Sequence, residues 1–183
     1  MPYGPIMRGW ALAEQGQAEE GIAQIRQGLD AYQAMRTAIK LTHWLGLLAE
    51  VYEKVGQAEE GLRVLDEALA AALRTGERCY EAELYRLKGT LTLQAKVPSP
   101  KSEVEEEAEM CFWKAIEIAR KQQAKSWELR ASTSLARLWQ QQGKVAQAHK
   151  LLSDVYNWFT EGFDTKDVQE AKALLDKLSS YKG

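Results

Sequence analysis

The chain has 183 residues, 45% of them apolar and 27% charged, with 24 basic and 26 acidic side chains for a net charge of −2. That balance suits a globular chain with enough length to bury a core and excludes a largely disordered one. It also gives no general attraction for nucleic acid or for an anionic membrane surface.

The opening Met-Pro-Tyr-Gly-Pro-Ile-Met-Arg lacks the basic and apolar regions of a secretory leader. No apolar run approaches the ~20 residues needed to cross a bilayer, so a cytoplasmic location and no membrane partner are expected. Cys79 and Cys111 stand apart, match no disulfide framework or zinc motif, and both fit buried helix positions. Prolines occur only at 2–5 and 98–100, which leaves helix uninterrupted over most of the length.

The first predicted helix opens near Pro5 and carries Gly9 and Leu12. It begins inside what should be the first half of a repeat. The chain therefore reads as a piece of a longer protein, or as a subunit whose open N-terminal end is covered, a second copy being one candidate. A turn follows at Gly16, in GQAEEG (16–21), and the same six residues recur at 56–61, a shift of 40. After each turn, apolar or small residues fall at helical spacing: Gly21, Ile25, Gly28, Leu29, Tyr32, and then Gly61, Leu65, Ala68, Leu69, Ala72. Ala108, Phe112, Ala115, Ile116, Ala119 and Ala148, Leu152, Val155, Tyr156, Phe159 continue the pattern. The helix before each turn has its own series, Gly9, Ala49, Gly89 and Ala136, with Leu12, Tyr52, Thr92 and Trp139 three residues on.

Gly143 opens the last turn, and the extra spacing before it is accounted for by KVPSPKS at 96–102, a Pro/Ser-rich insertion. Gly76 is expected to close one helix in a left-handed conformation. Ser102 with Glu105 should form a capping box, and Asp164 or Thr165 should cap a last helix bearing Val168, Ala171, Leu174, Leu175 and Leu178.

This order of small and large residues around a Gly turn resembles the tetratricopeptide repeat (TPR), a helix–turn–helix unit. The resemblance covers nearly the whole chain, although the period is 40 rather than ~34 and no Pro closes each unit. It implies an all-α, TPR-like α-solenoid of about four repeats plus a C-terminal capping helix. The expected organisation is a single domain, 1–183, with repeats at about 1–36, 37–76, 77–123 and 124–161 and a capping helix at 165–180. RGWALAEQGQ, ERCYEAELYRLKG and RASTSLARLWQQQGK are similar to the C-terminal arrays of large bacterial signalling ATPases. Those proteins couple a nucleotide-binding switch to an adenylate-cyclase or transcription-regulator module.

No phosphate-binding loop, dinucleotide fingerprint, nucleophile elbow, HExxH or EF-hand pattern occurs. No catalytic residue, metal or cofactor is expected. The acidic run from Glu103 to Glu109 reads as a favourable helix start rather than a binding patch. Trp44, Trp127, Trp139 and Trp158 read as core or near-core, and Trp113 as partly exposed.

The TPR resemblance implies an inner groove to which the first helix of each repeat contributes. The candidate partner-binding residues are Trp10, His43, Glu50, Arg86, Arg130, Thr133 and Arg137. Trp10 is either an anchor or a residue covered by a preceding repeat. Arg86, Arg130 and Arg137 either grip an acidic segment of a partner or pair with Glu83, Glu128 and other neighbours. The Lys/Asn set that clamps a C-terminal carboxylate in some TPR proteins is not reproduced.

The function these features imply is a non-catalytic scaffold that binds a protein or peptide in the groove of a bacterial regulatory protein. The alternative is a self-association or sensor module that packs on the nucleotide-binding domain of a larger ATPase. Nucleic acid is not an expected partner.

Overall fold

A computed structural model describes residues 3–35, 40–96 and 98–180. The repeat boundary expected at 36–37, Val97 of the insertion, and residues 181–183 lie outside the described residues. Among those described there are nine helices and no strand. They are α1 (Tyr3–Glu14), α2 (Ala18–Ala34), α3 (Leu41–Lys54), α4 (Ala58–Thr75), α5 (Glu81–Gln94), α6 (Lys101–Lys121), α7 (Lys125–Gln141), α8 (Val145–Tyr156) and α9 (Lys166–Ser180). They group into two compact units, residues 1–98 and 99–183, with the boundary inside the Pro/Ser-rich insertion of a chain that the sequence presents as one domain.

The turns show how the sequence sets the local geometry. Gly16, Gly56 and Gly143 sit at φ +86°, +71° and +77°, a region a Cβ disfavours. The amide after each glycine reaches back five residues to a helix carbonyl: Gln17 to Leu12 (2.9 Å), Gln57 to Tyr52 (3.0 Å) and Lys144 to Trp139 (2.8 Å). A fourth turn of this kind joins α6 to α7, where the Ala124 amide bonds the Ala119 carbonyl at 2.9 Å and Gln123 takes φ +55° without being glycine. Gly76, at φ +73°, closes α4 as expected and donates to the Ala72 carbonyl.

In the first unit α1 packs against α2 and α3 against α4, while α5 lies on both α3 and α4. A methyl group on Gly9 would stand 2.5 Å from the Gly21 carbonyl oxygen, and one on Gly21 would stand 2.5 Å from the Gly9 oxygen. Only glycine at both positions permits so close a crossing of α1 and α2. Ile6, Ile25, Leu65, Leu84, Leu87 and Leu91 are fully buried in the core beneath. Each such side chain contributes roughly 1.5–3 kcal/mol through burial. The start of α3 is capped from a distance: the Lys40 amide and the Thr42 hydroxyl donate to the Glu77 carboxylate at 2.8 and 3.1 Å. A carboxylate there also meets the positive end of the helix dipole.

In the second unit α7 contacts α6, α8 and α9. Its core joins Leu129, Ala136, Ala148 and Leu152 to Val168, Ala171, Leu174 and Leu178, so the last helix buries the face its spacing marks out.

Three local expectations are corrected. The Ser102–Glu105 capping box does not form, because α6 starts earlier, at Lys101 behind Pro100, with no side-chain cap. Trp158 is 58% exposed, because α8 ends at Tyr156 and leaves it in the following turn. Cys79 is exposed in the turn before α5 rather than buried in a helix, and Cys111 is half-buried.

Candidate functional site

In the first unit, side chains from α1, α3 and α5 meet in one connected charged and aromatic network. The Lys54 ammonium, from the end of α3, bonds Glu14 of α1, lies 3.4 Å from Glu50 and sits 5.8 Å above the Trp10 ring. Trp10 is half-buried, and its indole N–H is enclosed with no acceptor among the described residues.

Arg86, from α5, is buried. Its Nε donates to both Glu83 oxygens at 3.0 Å, a second nitrogen reaches Glu83 at 2.8 Å, and Glu53 is 3.8 Å away. Burial alone would make the guanidinium easier to deprotonate. The Glu83 carboxylate outweighs it and holds Arg86 above its ordinary value. Arg86 is therefore spent on the fold, and removing one partner would leave the other as a buried charge. Within the network the carboxylates of Glu14 and Glu50 lie around Lys54, and those of Glu53 and Glu83 around Arg86.

His43 stands apart from this network. It is flanked by Trp44 and Tyr80, each 4.7 Å away between ring centroids, and burial, followed by the charge of Lys40, pushes its pKa down.

The remaining candidates belong to α7 of the second unit. Arg130 lies 5.4 Å from the Trp127 ring and 3.9 Å from Asp167 of α9. Arg137 bonds Glu170 at 2.7 Å and, through that bond, holds the Glu170 carboxyl below its usual range. Thr133 is buried, with its hydroxyl turned to the Leu129 carbonyl at 2.8 Å. Thus Trp10, Glu50 and Arg86 are brought together, His43 is set aside, Arg130 and Arg137 face acids of α9, and Thr133 is closed off.

Sequence reasoning missed the acidic partners on α9. Asp167 and Glu170 are three residues apart, hence on one face, a signal that was present but read only as part of a terminal cap. It also missed Trp158, which is overlaid by Lys125 at 5.7 Å and walls a cavity of about 340 Å³ floored by Leu129, Phe159 and Val168.

Among the described residues no cluster of three His, Cys, Asp or Glu could hold a metal ion. No described helix is long and apolar enough to cross a membrane.

No protein-family model matches the chain, and no curated protein matches it in sequence. Solved structures do match. A putative kinesin light chain with nearly identical TPR-like repeats from Podosopora anserina aligns at 19% identity and a TM-score of 0.69, over 98% of this chain and 87% of that one. Its Q17M form aligns at 19% identity and a TM-score of 0.65, over 97% and 92%. At that identity the likeness speaks for the fold, which is all-α and of the TPR-like helical-repeat kind.

Proposed function

We propose that this chain is a non-catalytic protein-interaction module whose first unit receives a peptide segment on the face built by α1, α3 and α5. The observation that carries this reading is the Trp10–Lys54 stack set among Glu14 and Glu50, an aromatic anchor overlaid by a cation and ringed by carboxylates. A lysine or arginine next to an apolar side chain on the partner can displace Lys54 from the ring and take its place beside Glu14 and Glu50. An acidic segment finds no such complement, since Arg86 is already engaged by Glu83. The setting we propose rests on the sequence resemblance: a cytoplasmic regulatory protein of a bacterium.

The test is fluorescence anisotropy with three labelled peptides that share one apolar pattern and differ in charge: basic, neutral and acidic. The basic peptide should bind best, and high salt should weaken it. Trp10→Ala should cost about 30-fold or more if Trp10 is the anchor, as a hot-spot loss of ~2 kcal/mol implies. Glu50→Lys should weaken the basic peptide and leave the neutral one unchanged. Equal binding of the acidic peptide, or indifference to both substitutions, would refute the reading.

A further inference from the structure

Helix α6 runs for 21 residues and leaves one face in solvent. That face has three zones. Glu103, Glu106 and Glu107 occupy its start, and none of them makes an ion pair among the described residues. Met110 (66% exposed) and Trp113 (39% exposed) stand in the middle, beside a shallow hollow of about 590 Å³. Lys114, Arg120 and Lys121 occupy the end; Arg120 bonds Glu128 of α7 at 2.7 Å, and the two lysines are tied, among the described residues, only to Glu117 of the same helix, at 3.4 and 2.6 Å. The zones recur at three- and four-residue spacing and so form one stripe.

The order acid–apolar–base along a single helix is self-complementary when it is inverted. We infer that the exposed stripe of α6 is the contact through which two copies of this chain associate, antiparallel about a two-fold axis. Met110 and Trp113 of both copies meet near the axis, and the Glu103–Glu107 stretch of each lies opposite the Lys114–Lys121 stretch of the other. A parallel arrangement would set like charges together, so the charges fix the orientation. A purely acidic partner would satisfy only the end of the stripe and a purely basic one only its start, whereas a second copy satisfies both. A single helix face is smaller than the ~1,200 Å² of standard interfaces, so the association is weak. This contact lies in the second unit and does not depend on the Trp10 surface.

Sedimentation equilibrium of the whole chain tests it, at ionic strengths of about 0.01 M and 1 M, where charges are felt over about 30 Å and 3 Å respectively. At low salt and rising concentration the wild-type mass should climb from 20.6 kDa towards twice that value, and at high salt it should fall back. Two variants with wild-type helical content by circular dichroism, Glu106→Lys/Glu107→Lys and Lys114→Glu/Lys121→Glu, should each stay monomeric. Their equimolar mixture should associate again, because both ends are then complementary. Trp113→Ala should weaken the wild-type association at low salt. A wild type that remains at 20.6 kDa throughout would overturn the inference. So would variants that self-associate as the wild type does, or a mixture that stays monomeric.

Discussion

His43 shows what a half-buried polar residue does when it is built into packing rather than into a site. Trp44 and Tyr80 flank it, Lys40 repels its charged form, and Glu77 opposes that repulsion without cancelling it, so the folded pKa lies below the ordinary value near 6.5. The unfolded chain then takes up a proton before the folded chain does. The stability that comes from neutral His43 is complete above pH ~6.5 and is lost as pH falls from there through the folded pKa. The melting temperature of the wild type should therefore drop between pH 7.5 and pH 5.5 by more than that of His43→Gln. Identical pH dependence in the two proteins would show that the imidazole titrates as it does in water. The groove pattern of a TPR placed this residue on the inner helix but carried no information on its ring neighbours, which come from α3 itself and from the turn before α5. Arg86 decides between the two readings its sequence left open. Its register was readable and so was its pairing with Glu83, three residues before it on the same helix, whereas the contact with Glu53 of α3 and the burial of the pair come from the fold. The small residues fared better. Gly9 and Gly21 stand where backbones touch, and a periodic pattern of small residues reports that directly.

At the scale of the element, the turn between α6 and α7 repeats the geometry of the three glycine turns with a glutamine in the left-handed position. An L-residue there carries a cost of about 1–2 kcal/mol that glycine avoids, partly offset by the greater freedom of glycine in the unfolded chain. Gln123→Gly should accordingly raise stability by up to about 1 kcal/mol, measured by urea denaturation with an unchanged m-value. Gly143→Gln, the reverse exchange in the equivalent turn, should lower it by a similar amount. If Gln123→Gly destabilises the protein, the glutamine side chain makes a contribution of its own that the turn geometry does not explain. The turns were legible in the sequence where glycine marked them, and the start of α9 was legible from Asp164 and Thr165. Gly16, Gly56, Gly76 and Gly143 announce their turns, while the KQQAKS stretch around Gln123 offers no breaker at all. The Ser102 capping box failed for a related reason. The motif is short and local, and Pro100, with its φ of −56°, starts the helix before Ser102 can act as a cap.

For the whole molecule, the repeat of 40 residues identified the architecture, because paired helices with small residues at the crossing have few other ways to bury their faces. The grouping of helices into two units was less legible. KVPSPKS was visible as an insertion, but an insertion within a repeat and a boundary between compact units look the same in one sequence. Their consequences differ. The connection from α3 to α4 is the three residues Val55–Gln57 held by hydrogen bonds, while α5 and α6 are joined by the six residues from Ala95 to Pro100. Six Gly/Ser residues inserted between Pro98 and Ser99 double that longer connection, which by loop-closure entropy costs only about 0.6 kcal/mol. The same six residues placed after Gly56 break the Gln57–Tyr52 bond and the crossing of α3 with α4, which lies in the middle of the first core. The first insertion should move the melting temperature by no more than a few degrees. The second should abolish cooperative unfolding of the first unit, read by the amide protection of α1 to α5. Equal damage from both would mean that residues 95–100 are as tightly built into the fold as the glycine turns, and that the boundary between compact units does not act as a joint.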